Sequence, residues 1–513
     1  MPQRLWRSSL ISSALGRATI PAMETTYPAR WSVRGDAGYV GKLVLHAGAL
    51  ELSGRSRDGV RTHRLSVSFD ELAGSPTGVA IERVANVPTM VLARVGGPPV
   101  HVASVNGFGT LHEVADTIAR EVVRRRVRPN ARVLIAGGGV AGLEATVALK
   151  KLARGAADTT VLSSTPEFSY RPLAVAEPFE PGAMPTFELA PIVADNGARL
   201  HIGQLAAVDP VERRVRTTSG DILEYDLLLV ALGARAEEVV RGALTFGPPA
   251  IAAMRSLLRD AVEGRVRRIV FAVPGATTWP LPLYELALLT ARHLRASGQE
   301  VELSVVTAEA EPLGVFGEEA SRLVTTLLEE QGVALVADTY ATAFANGELE
   351  TVPGGRIEAD RVVALPRLVG PGVEGLPRDN QGFIPVDAYG HVVGLPEVFA
   401  AGDATAFPVK QGGIAAQQAE TAAAAIAARL GAPVTPMPLN PVLRGVLLGD
   451  DDAIFLRTVL TGGVGTESTV AVDRLWSAPG KIVGRHLSSY LATAAAPASR
   501  ASDGPPAAAA ALP

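Results

Sequence analysis

The sequence predicts an α/β protein: two units of alternating strand and helix, preceded by a small antiparallel β-domain that ends in one helix. Three observations carry that expectation. Arg132–Ala145 is a run of β-formers, a glycine turn and an Ala/Leu-rich helix, with Gly137, Gly139 and Gly142 spaced G-x-G-x-x-G. Arg267–Ala287 repeats the strand, turn and helix order. Ahead of both, from about Trp31 to Ser104, short alternating runs are separated by turn residues. The glycine-spaced turn marks a Rossmann-like dinucleotide-binding unit, and the second unit is read as a degenerate copy of it.

Composition removes several chemistries. The 513 residues suffice for a sizeable core and several domains. There is no cysteine, which excludes disulfides, iron–sulfur clusters, thiolate zinc sites and redox or persulfide chemistry on the protein. The eight histidines include no pair at metal-ligand spacing beside an acid, so no metal site is expected. A net charge of -4 gives no general attraction to nucleic acid. No apolar run reaches the roughly 18 residues that span a bilayer. A cytoplasmic protein is expected, with peripheral membrane contact and a homodimer left open. Neither a G-x-S-x-G elbow nor a Walker-type phosphate loop occurs.

Residues 1–30 are expected to be disordered; the first 22 resemble a transit peptide, and Met23 is the favoured start. Residues 31–128 form the β-domain, with strands at Tyr39–Leu45, Ala49–Ser53, His63–Ser68, Val79–Val84, Thr89–Ala93 and Val100–Ser104. An amphipathic helix follows at Leu111–Arg124. By element order alone this domain resembles a pleckstrin-homology-like fold, which implies lipid or peptide binding, or packing on a neighbour. The basic run Arg124, Arg125, Arg126, Arg128 and Arg132 reads as a solvated linker, with an anionic membrane surface as the alternative.

In residues 129–245, Gly137 permits the tight turn, Gly139 lets backbone approach a pyrophosphate and Gly142 allows close helix–strand packing. Gly138, Val140 and Ala141 complete the turn and open the helix, whose N-terminus then faces the phosphates. The next strand, Thr159–Leu162, ends in Ser163 and Ser164, where an acid usually meets the ribose; hydroxyls or the nearby Glu167 are the substitutes. Strands Arg199–Val208, Arg213–Thr217 and Asp221–Val230 read as a meander ending at Ala231-Leu-Gly233, a small-residue turn suited to a bound cofactor.

The second unit, residues 246–370, has a turn that keeps only Gly275, while Trp279, Pro280 and Pro282 fill the place of phosphate-binding glycines. Glu309 and Glu311 read either as ribose acids or as exposed loop acids. Residues 371–435 return to the first unit through Ala401-Gly-Asp403 and a long Ala-rich helix starting near Gly413. Residues 436–493 read as a small α+β piece, with a strand at Phe455–Leu460 and a helix at Ala478–Leu491; residues 494–513 are a low-complexity, disordered tail.

Gly137/Gly139/Gly142, then Ala231-Leu-Gly233, then Ala401-Gly-Asp403 with its helix stand in an order that resembles the pyridine-nucleotide–disulfide oxidoreductase superfamily over roughly residues 130–430. Tyr170-Arg-Pro172, Pro282-Leu-Tyr-Glu285 and Pro408-Val-Lys-Gln-Gly412 are most similar to its sulfide:quinone reductase and type II NADH dehydrogenase branch. The resemblance implies FAD, with its pyrophosphate at Gly137–Gly142 and further contacts from Ser163, Ser164, Arg171, Pro172, Ala231, Gly233, Gly402, Asp403, Gly413 and Ile414. Asp403 would accept a ribityl hydrogen bond, and the helix near Gly413 would aim its N–H groups at the flavin. Lys410 reads as an electrostatic aid or as a surface cation.

The expected function is an FAD-dependent oxidoreductase that passes electrons from an unidentified donor to a quinone or another acceptor. Cysteine-based sulfide oxidation is excluded. Lys410, Trp279 and Gln417 are the candidate catalytic residues; Gln417 and Gln418 read as quinone contacts or as plain helix amides. Two alternatives stand: an NAD(P)H dehydrogenase with nicotinamide near Trp279, weakened by the poor second turn, and a flavin-binding regulatory or interaction module.

Overall fold

The computed structural model describes residues 25–33, 38–46, 49–72, 82–84, 87–94, 97–105, 111, 113–115, 117–118, 130–153, 155–275, 277, 279–449, 453–461, 464–476 and 480–494. The chain divides into two compact units, residues 1–126 and 127–513.

In the first unit seven antiparallel strands run in the order Thr62–Ser68, Ala49–Ser56, Tyr39–Leu45, Thr25–Val33, Gly97–Ser104, Val87–Arg94 and Glu82–Val84. The central strand starts at Thr25: the segment 25–30 expected to be disordered pairs with Tyr39–Leu45 throughout, and from Ala29 onward with Gly97–Ser104 as well. Its alternation explains the pairing: Ala29 and Trp31 are each only 2% exposed, whereas Pro28 and Arg30 face water. Leu111, Val114, Ala115 and Ile118 are helical and join the core beneath the sheet. The remainder of the expected helix, the arginines 124–128, residues 1–24 and the tail 495–513 lie outside the described residues.

The second unit is built on two parallel sheets. The larger runs Arg199–Ile202, Ala157–Ser163, Ala131–Ala136, Leu227–Val230 and Leu395–Ala400, with His391–Val392 antiparallel at its edge. Its central strands are apolar on both faces, as a covered parallel sheet requires. Val133, Ile135, Leu227 and Leu229 pack under helices Val140–Leu152 and Gly412–Arg429, while Leu134, Ala136, Leu228 and Val230 pack against the opposite layer. Alanines 145, 148, 419, 422 and 423 line the joint between the two helices, so their axes can approach closely.

The expected three-strand meander is broken twice. Arg199–Ile202 and Leu205–Asp209 belong to different sheets, as do Ile222–Glu224 and Leu227–Val230. Gly203 N–H donates to Ser163 O at 2.8 Å and Asp226 N–H to Arg132 O at 2.8 Å, which ties each break to the parallel sheet.

The second sheet, Leu244–Thr245, Arg361–Ala364, Arg268–Val273, Glu302–Thr307 and Val333–Val336, is wholly parallel. Helices Leu281–Ala296 and Glu318–Glu330 cover one face, and the hairpin layer Tyr340–Glu358 covers the other. A three-stranded antiparallel sheet, Val442–Leu447, Ile454–Thr461 and Val464–Ala471, sends Leu443, Leu447 and Leu456 into the same core as Leu281 and Phe316.

The last helix is Leu487–Ala494, shorter and later than the expected 478–491. Residues 480–486 instead form an extended strap. Gly480 sits at φ +90°, and the Glu144 carboxylate accepts from His486 N–H and Leu487 N–H, each at 2.8 Å, which fixes the helix start there.

Candidate functional site

A cavity of about 640 Å³ opens at the carboxyl ends of the larger sheet and runs between the two parallel-sheet layers. Its first wall is the glycine turn. Gly137 has φ +130°, and a Cβ there would lie 2.1 Å from Ala231 O; one at Gly142 would lie 1.8 Å from Gly137 O. Those two glycines exist for close packing. A Cβ at Gly139 would meet nothing within 4 Å, because that position faces the cavity. The following helix has no side-chain cap, so its first N–H groups are free to receive an anion. Gly137, Gly138, Gly139, Val140 and Ala141 line the space, and Gly142 holds the turn from behind.

Ser163, Ser164, Arg171, Pro172, Ala231 and Gly233 also line it. The Ser163 hydroxyl donates to Thr165 O at 2.8 Å, while Ser164 and Glu167 are exposed at the rim. Gly233, at φ +72°, keeps the turn after the buried strand free of side chain.

The floor is Gly402 and Asp403. Gly402 adopts φ +77° and its N–H donates to Gln418 Oε1 at 2.7 Å, so Gln418 is the support of this turn. Burial pushes the Asp403 carboxyl up, opposed by Lys410 and Arg171. Lys410 is buried, not a surface cation. Its Nζ donates to Thr405 O and stands 3.6 Å above the Phe383 ring. Burial brings its pKa down to about 8, against the pull of Asp403 and Asp379.

Several expected contacts are elsewhere. The floor helix starts at Gly412, and Gln411 Oε1 accepts from Ile414 N–H at 3.0 Å. Gly412 and Gln411 line the cavity, whereas Gly413 and Ile414 do not. Gln417 is also away from it: Nε2 donates to Val442 O and Oε1 accepts from Val442 N–H, both at 2.9 Å, clamping the three-stranded sheet to the helix.

Trp279 lines the cavity edge-on to Phe316, ring centroids 6.0 Å apart. Among the described residues before it, Gly275 leaves no open backbone for a phosphate. A Cβ at Gly275 would sit 2.7 Å from the Tyr340 ring, and the helix beyond starts only at Leu281, with Pro280 and Pro282 lacking N–H groups. Glu309 accepts from Tyr284 Oη at 2.6 Å and Leu313 N–H at 3.1 Å, so it braces its own loop, and Glu311 is exposed outside the cavity.

Not evident in the sequence is the pair Glu285 and Lys481, which meet as a buried ion pair on the cavity wall. Glu285 Oε1 also accepts from Leu448 N–H at 2.9 Å. Burial pushes its carboxyl up, with Lys481 pulling the other way. The available signal was an acid within the apolar Leu283–Leu288 stretch.

Residues 284–428 match the family model for pyridine nucleotide-disulphide oxidoreductases. A sulfide-quinone reductase of Aquifex aeolicus is 27% identical over 267 residues, 47% of this chain and 59% of that relative's length. A ferredoxin–NAD(+) reductase component of the biphenyl dioxygenase system of Paraburkholderia xenovorans is 29% identical over 419 residues, 69% of this chain and 94% of the relative. Among solved structures, the Aquifex aeolicus sulfide:quinone oxidoreductase superposes with TM-score 0.59 at 19% identity, covering 71% of this chain and 89% of that one. Each relative is an oxidoreductase by name, and the chain stands with enzymes of that class.

Proposed function

We propose that this chain is an FAD-dependent oxidoreductase whose cavity holds FAD, passing electrons from an unidentified donor to a quinone or another acceptor. The observation that carries this reading is the open face of Gly139 at an uncapped helix N-terminus, in one cavity with Asp403. The fit to the cofactor is consistent throughout: a turn free of side chain for pyrophosphate, narrow backbone walls at Ala231 and Gly233, and a carboxylate on the floor. When bound, FAD supplies two-electron redox chemistry that no side chain here offers.

The chain's own residues then have separable tasks. Gly137–Gly139 and the helix from Val140 hold the pyrophosphate, and Asp403 accepts from a ribityl hydroxyl. Lys410 keeps a positive charge beside that floor, where it favours negative charge on whatever is bound. With no cysteine in the sequence, cysteine-based sulfide oxidation is not part of the reading.

The same reading treats the two parallel-sheet layers as Rossmann-like domains, the second degenerate. Tyr340 under Gly275 and the prolines at 280 and 282 argue against nicotinamide as the donor. The strand order of the first unit, with helical Leu111, Val114, Ala115 and Ile118 in its core, supports a pleckstrin-homology-like reading of that unit. Among the described residues no helix is long and apolar enough to cross a membrane, and peripheral contact fits the reading as well.

Anaerobic mixing tests it. The proposal expects slow or no bleaching of the flavin band by NADH and NADPH, full bleaching by dithionite, and rapid return of the band on adding a soluble quinone. Fast bleaching by either nicotinamide would favour a dehydrogenase, and no return with quinone or other acceptors would favour a binding module.

A further inference from the structure

Strands Val442–Leu447 and Ile454–Thr461 pair antiparallel with Arg444 directly opposite Arg457. Opposed side chains share a sheet face about 5 Å apart at Cβ, and like charges so placed are destabilising. Neither guanidinium makes a hydrogen bond or ion pair with another described residue. Burial and the facing Arg457 both work against the charge on Arg444. An acid would ordinarily stand in such a place.

The register shows what else shares this face: Val442 and Val446 on one strand, Phe455 and Val459 on the other. All four are buried or half-buried. The opposite face is the core side, carrying Leu443, Leu447 and Leu456. Trp476 stands edge-on to Phe455, centroids 5.1 Å apart, and its indole N–H is buried with no partner. The face is continuous with the redox cavity, because Arg444 and Val446 line both.

Two guanidiniums with no counter-ion among the described residues, beside an apolar wall, form a complement to an ion that is itself amphiphilic. The geometry points to this face as a binding site for an amphiphilic organic anion, a carboxylate or sulfonate with an apolar body, that reaches the cavity past Arg444. Its role as electron donor or acceptor rests on the flavin reading above; its binding does not.

Calorimetric titration of the full-length protein with naphthoquinone sulfonate and with uncharged menadione tests the site. At low ionic strength the sulfonate binds about tenfold tighter or more, and the preference collapses at high salt. It is lost in R444Q/R457Q and largely kept in R444K/R457K, which retains both charges. Equal affinity of the unmodified protein for the two probes overturns the proposal, as does a preference that survives R444Q/R457Q. Flavin content, measured on the same samples, separates the outcomes: a preference without any flavin upholds the anion site and removes the redox reading.

Discussion

Glu285 and Lys481, 196 residues apart in the chain, close on each other as a buried ion pair in the cavity wall. Glu285 belongs to helix Leu281–Ala296 and is 1% exposed; Lys481 belongs to the carboxy-terminal strap and is 8% exposed. The pair fastens the strap across the cavity, next to Ile482, whose N–H donates to the Tyr170 hydroxyl oxygen at 2.7 Å.

Lys481→Met therefore leaves a carboxylate buried without its counter-charge. The expected loss is about 3–5 kcal/mol in urea unfolding. A carboxyl raised by burial is protonated more readily in the folded than in the unfolded chain. Its destabilisation is absent below the ordinary carboxylate pKa and grows as pH rises through the folded value. The variant should thus lose more at pH ~8 than at pH ~5, and Glu285→Leu added to it should recover part of the loss. A pH-independent loss would contradict the assignment.

The glycines of the turn separate folding from binding. Gly142→Ala places a methyl 1.8 Å from Gly137 O and should cost about 1–3 kcal/mol of stability. Gly139→Ala meets no atom within 4 Å and should leave Tm unchanged while weakening FAD binding, since the added methyl occupies the cradle. Thermal melts beside FAD titrations check both; equal binding in Gly139→Ala would place the pyrophosphate elsewhere.

Asp403→Ala should reduce FAD affinity by about 1.5–3 kcal/mol, roughly ten- to a hundred-fold, the range of a hydrogen bond to a charged group. Titration of apo-protein with FAD measures it. An unchanged Kd would remove Asp403 from the site.

Lys410 titrates early, with a folded pKa of about 8. The unfolded chain then binds the proton more tightly than the folded one between pH ~8 and pH ~10.4, so stability rises with pH across that window and the penalty remains below it. Relative to Lys410→Met, the unmodified apo-protein should gain stability over that interval and change little below it. Parallel pH profiles of the two proteins would contradict the burial of this cation.

What was legible in the sequence was local. Gly137, Gly139 and Gly142 carry their geometry in their spacing, and Asp403 stands out as an acid at the end of an apolar strand. The start of strand Thr25–Val33 is hidden in the sequence because Pro28 interrupts an alternation that only pairing with Tyr39–Leu45 reveals. The start of the last described helix is not legible locally, because the cap that sets it at Leu487 comes from the distant Glu144. Gln417 was equally ambiguous, as its partner Val442 lies on another element. The pairs Glu285–Lys481 and Arg444–Arg457 depend on tertiary contacts that no periodicity encodes.

On the reading proposed above, the cavity between the glycine turn and Asp403 holds FAD. The most direct test releases the non-covalent flavin from purified, FAD-reconstituted protein and measures its amount and identity against protein concentration. FAD at one per chain, released by denaturation, is the expected result. A colourless protein that takes up no FAD on reconstitution would contradict it.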